Sequence, residues 1–112
     1  MGNYMNESDA MGRLGNNKKL YGMLLKKFNG PAMLEDLKSK LASGDAAGSQ
    51  AQAHTIKGLA ANLSLQDLRE KAEAIELAIK NTGAIDGIDA SEISESTEAT
   101  QAAVAAWLSA NT

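Results

Sequence analysis

The chain has 112 residues and a mass of 11.7 kDa, enough for one domain with its own core and too little for a catalytic and a regulatory domain together. It holds one histidine and no cysteine, which excludes disulfides, thiolate zinc sites, cysteine nucleophiles and the paired-histidine metal centres of bundle enzymes. A net charge of −3 shows no basic excess of the kind nucleic acid demands.

The charge is unevenly spread. Residues 1–60 carry 8 basic and 5 acidic side chains, net +3, whereas residues 61–112 carry 3 and 9, net −6. Alanine (20) and leucine (13) greatly outnumber isoleucine (6) and valine (1), a supply that favours helix over strand. The N-terminal stretch MGNYMNESDA lacks a basic start followed by an apolar run, and nowhere do 18 apolar residues follow one another. A cytoplasmic location with no membrane partner is expected.

In chain order, residues 1–7 read as a flexible N-terminus and residues 8–112 as the domain. A short leader helix from Ser8 to Leu14 is stopped by Gly15, with Asn16 as the next N-cap. Leu20, Leu24, Leu25 and Phe28 recur at helical spacing until Asn29-Gly30-Pro31 breaks the run. Pro31 opens a helix carrying Leu34, Leu37 and Leu41, which ends at Ser43-Gly44. Asp45 caps the next, which runs to about Asn62 and buries Ala53, Ile56, Ala60 and Leu63 with Leu59 on the flank. Ser64-Leu65-Gln66-Asp67 resembles a capping box, and Leu68, Ala72, Ile75 and Ile79 follow up to Gly83. The acids from Asp86 to Glu98 lack the alternating ligands of a calcium loop and suit a helix N-terminus instead, so no metal site is expected. The last helix buries Ile93, Thr97, Thr100, Val104, Trp107 and Leu108. The expected fold is all-α, an antiparallel up-down four-helix bundle with a short N-terminal leader helix.

Imidazole chemistry can run only through His54. At about 100° per residue it lies away from Ile56, Ala60 and Leu63, on an outer face with Lys57, Gly58 and Ala61. A lone histidine on a helix is usually an ordinary surface residue, but three neighbours argue for more. Gly58 stands mid-helix, where it costs about 0.5–1 kcal/mol relative to alanine and makes no cap. With Ala51 one turn before His54 and Ala61 one turn beyond Gly58, it leaves a low surface that a partner backbone can approach. Lys57, at i+3, can bring its ammonium to whatever binds the ring. If the hairpin turns near residue 65, Glu76 lies level with His54 and Glu73 with Lys57. A Glu76 carboxylate accepting the Nδ1–H leaves Nε2 as the exposed nucleophile.

The segment Ala53-His54-Thr55-Ile56-Lys57-Gly58-Leu59-Ala60-Ala61-Asn62-Leu63 resembles the signature of the histidine phosphotransfer (HPt) domain, with lysine at +3 and glycine at +4 from the histidine. Chain length and helix pattern fit that family over nearly the whole sequence. Ser64 departs from it, standing where the family usually has glycine at +10. The resemblance implies that His54 accepts a phosphoryl group from a receiver-domain aspartyl phosphate and donates it to another receiver. Lys57, Gly58 and Glu76 assist, and Ala51 and Ala61 belong to the docking face. The implied partners are response-regulator receiver domains and a sensor or hybrid histidine kinase, with Mg2+ supplied by the receiver. A monomeric phosphoryl carrier without kinase activity of its own follows. The rival readings are a helical adaptor in which His54 is incidental, and a fragment of a sensor kinase. Against the second, Thr55 follows His54 where that family has an acid, Gly58 stands where it has proline, and there is no glycine-rich nucleotide segment.

Overall fold

A computed structural model describes residues 4–111. It contains six helices: α1 (Glu7–Arg13), α2 (Lys18–Lys26), α3 (Gly30–Ala42), α4 (Ala46–Asn62), α5 (Gln66–Thr82) and α6 (Ser91–Asn111). Among the described residues there is no strand. The four longest, α3 to α6, close a ring in which α3 packs on α4, α4 on α5, α5 on α6, and α6 back on α3. The leader therefore comprises two helices, α1 and the nine-residue α2, rather than one. Of the flexible N-terminus expected over residues 1–7, residues 1–3 lie outside the described residues. Asn6 caps α1 and donates its backbone N–H to the Ser64 carbonyl, and Glu7 opens that helix.

Local chemistry accounts for most boundaries. Asn6, Asn17, Asn29 and Asp45 each accept a backbone N–H of the following first turn through the side chain, satisfying a donor the helix leaves orphaned. The cap of α2 is thus Asn17 and not Asn16, because Asn16 follows Gly15 into the left-handed region (φ 63° for both) and the chain turns one residue later. Gly83 ends α5 in the left-handed conformation that glycine adopts without steric cost.

The apolar stripes meet as periodicity predicts. Leu37 from α3, Ala53, Ile56 and Ala60 from α4, Leu68, Ala72, Ile75 and Ile79 from α5, and Ile93 and Val104 from α6 are all buried. Leu20 and Met23 depart from a fully buried α2 face and stay exposed, because the buried side of this short helix is taken by Tyr21, Gly22 and Leu25. The Tyr21 hydroxyl donates to the Leu63 carbonyl at 2.7 Å, and its ring meets Trp107 edge-on at 5.1 Å. Desolvation, with Glu7 and Asp9 adding to it, pushes the Tyr21 phenol up to about 12, so it remains a hydrogen-bond donor.

One capping expectation is corrected at the α4–α5 turn. Ser64 does not cap α5; Leu65 occupies the cap position and offers no side-chain bond. Ser64 instead takes a left-handed φ of 58°, which carries its Oγ to the carboxylate of Asp9 in α1 at 2.6 Å. Its hydroxyl donates there, while its carbonyl accepts from Asn6. The leader is thereby tied to the turn that joins the two central helices.

Candidate functional site

Helix α4 owes its position to the burial of Ala53, Ile56 and Ala60, and that placement turns the opposite side outward. His54 stands on this outer side with 66% of its side chain exposed. Its Nδ1 lies 2.7 Å from Oε2 of Glu76 on α5. Glu76 is accessible over only 11% of its side chain, so an anionic carboxylate is held at the edge of the core directly behind the ring. An ionised carboxylate only accepts, which fixes the proton on Nδ1 and leaves the Nε2 lone pair free.

Lys57 departs from the level pairing drawn from the sequence. Its ammonium reaches Oε1 of Glu76 at 2.7 Å rather than Glu73, which pairs with Arg69 at 3.5 Å. The reason is the lean of helical side chains toward their own N-terminus. On antiparallel neighbours Lys57 and Glu76 lean toward each other's level. The Lys57 ammonium first, then the His54 contact, holds the Glu76 carboxyl below the ordinary carboxylate range, against the upward pull of its partial burial.

Gly58 is exposed, and a Cβ built there meets nothing within 4 Å. No neighbouring helix requires the glycine. The space it leaves opens to solvent on the His54 side of α4. Ala51, with Ala47, Gln50 and Thr55, lines a shallow depression that also contains His54 and Glu76. Ala61 lies instead in a second, polar notch with Asp9, Arg13, Ser64 and Arg69. The face is therefore two hollows, and the sequence reading missed Ala47, Gln50 and Thr55. Ala47 stands seven residues before His54, two turns along the same face, a spacing that could have revealed it. Among the described residues no three histidine or acidic side chains group in a way that could hold a metal ion.

The fold and site together define a helical bundle that presents one exposed, carboxylate-backed imidazole on its outer face. The Hpt domain family matches residues 28–108, so the chain belongs to that family, the phosphotransfer domains of two-component phosphorelays. Such domains carry phosphoryl groups and are not kinases, and they work with receiver domains and histidine kinases. In fold the chain is similar to the crystal structure of the HPT domain from an Hpt sensor hybrid histidine kinase of Shewanella. The TM-score is 0.80 at 20% identity, over 98% of this chain and 97% of that one. No curated protein sequence matches. No helix among the described residues is long and apolar enough to cross a membrane.

Proposed function

We propose that His54 is the phosphoacceptor of this domain, taking a phosphoryl group from a receiver-domain aspartyl phosphate and passing it to another receiver. The observation that carries the assignment is the 2.7 Å contact of Nδ1 with a sheltered carboxylate beneath an exposed ring. The neutral Nε2 lone pair attacks phosphorus in line. The P–O bond to the aspartyl carbonyl group breaks, and the leaving carboxylate keeps its electron pair. Nδ1 retains its proton, so the ring becomes cationic while the phosphoryl group keeps its two negative charges. Glu76 stabilises that cation, as the carboxylate does for imidazolium in a catalytic triad.

Lys57 balances the arriving phosphoryl charge. The bare backbone at Gly58, with Ala51 and Ala61 in the flanking hollows, admits the receiver surface. Mg2+ and most of the electrostatic catalysis belong to the receiver, while this chain contributes the nucleophile, its orientation and the two charges of Glu76 and Lys57 beside it. The domain acts as a monomer in the cytoplasm, its four-helix ring closing its own core.

The test is transfer from a phosphorylated receiver to His54→Gln. The variant is expected to keep its helical circular dichroism and accept no label. Retained acid-labile, base-stable labelling would overturn the assignment. A folded protein that never accepts a phosphoryl group from any receiver would favour the adaptor reading.

A further inference from the structure

One carboxylate serves both functional side chains of the face. Oε2 of Glu76 faces His54 Nδ1 and Oε1 faces the Lys57 ammonium, each at 2.7 Å. Oε1 is sealed from solvent, and the Lys57 ammonium at 2.7 Å is the cation that faces it. Lys57 itself remains 28% accessible, on a flexible stem one turn from the imidazole. In this arrangement the ammonium is committed to Glu76 and not to the space beyond Nε2.

We propose that Lys57 alternates between two anions, Glu76 when His54 is unmodified and the phosphoryl group when Nε2 carries one, so that Glu76 competes with the phosphoryl group for Lys57. The inference rests on His54 being the phosphoacceptor. Charge bookkeeping supports the exchange. Before transfer Glu76 faces an ammonium and a neutral ring; after transfer it faces a ring that has itself become cationic. The imidazolium replaces the ammonium as counter-charge to the carboxylate, and the ammonium is released toward the two negative charges on phosphorus. The release is incomplete, because the sheltered Oε1 still attracts Lys57. Glu76 thus weakens the hold of Lys57 on the phosphoryl group and keeps the carrier ready to give it up. Its role is that of a positioning residue acting through Lys57 as well as through the ring.

The competition predicts a non-additive pair of substitutions. The full chain is prepared as wild type, Lys57→Ala, Glu76→Gln and the double variant. Each is phosphorylated with phosphoramidate, and the decay of phosphohistidine is followed by 31P NMR. The factor by which Lys57→Ala shortens the lifetime is expected to be about three- to fivefold larger in the Glu76→Gln background, where nothing rivals the phosphoryl group for the ammonium. In wild type the 15N signal of Lys57 Nζ should also move on phosphorylation, and it should not move in His54→Gln treated alike. Equal factors in the two backgrounds, together with a motionless Lys57 signal, would overturn the competition while leaving His54 as phosphoacceptor. Wild type that forms no phosphohistidine at His54 would overturn both.

Discussion

Gly58→Ala separates the folding role of a residue from its role toward a partner, because the two are expected to move in opposite directions. Gly58 sits in the interior of α4, and a Cβ there meets no atom within 4 Å. The substitution therefore adds helix propensity without a clash, about 0.5–1 kcal/mol of stability. Unfolding entropy of about 2.1 cal/mol/K per residue over 112 residues gives about 0.24 kcal/mol/K, so Tm should rise by about 2–4 °C. The same methyl group projects into open space on the His54 face, the space through which the proposed function brings the receiver backbone. A packed interface resists an extra carbon by about 1–3 kcal/mol, which lowers kcat/KM for transfer roughly 5- to 160-fold, mainly through KM. Thermal denaturation and transfer kinetics from a phosphorylated receiver measure the two effects on one sample. Gly12→Ala is the control, since Gly12 is also helical, exposed and free of atoms within 4 Å of an added Cβ. It should gain stability and transfer normally. A Gly58→Ala protein that transfers at the wild-type rate, or that melts lower, would refute the reasoning.

Glu76→Gln should flatten the acid limb of the stability curve. A carboxyl held below its ordinary value of 4.5 contributes stability that is fully present above that value and lost as pH falls through the lower folded-state value. Denaturant titrations should show wild type ahead by about 1 kcal/mol at pH 7, and the two proteins converging as pH falls below the ordinary carboxylate range; a gap independent of pH would contradict the pairing. At position 64, Ser64→Gly relieves the left-handed strain and loses the bond to Asp9, whereas Ser64→Ala loses the bond and keeps the strain. Glycine should therefore melt within about 2 °C of wild type and alanine about 1 kcal/mol below it; alanine matching glycine would show that the backbone there is not strained.

The helical stripes were legible because burial repeats with the helix: Ile56 and Ala60, Leu68 and Ala72, Ile93 and Val104 sit inside as their spacing requires. The contact between His54 and Glu76 was legible from antiparallel register alone. Partners set by side-chain direction were not. Lys57 finds Glu76 instead of Glu73 because both side chains lean along their helices, which counting levels ignores. Ser64 reads as a helix cap in one dimension and becomes a link to Asp9, 55 residues away, once its backbone turns left-handed. Composition and period say nothing of such a contact. Gly58 was legible in both senses: as an anomaly in the sequence and as open space in the fold.

The single tryptophan stands where it can report on the histidine-bearing helix. Trp107 lies against the ring of Tyr21, and Tyr21 grips the last carbonyl of the α4 boundary at Leu63. An observer exciting that indole watches three helices at once, through a contact that meets α4 at its C-terminal boundary rather than at His54. Unfolding, fraying of α4 or loss of the leader should all register in its emission, while chemistry confined to His54 should leave it quiet. The protein thus carries an internal gauge that can certify, for every variant above, whether a silent histidine is a chemical result or a collapsed scaffold.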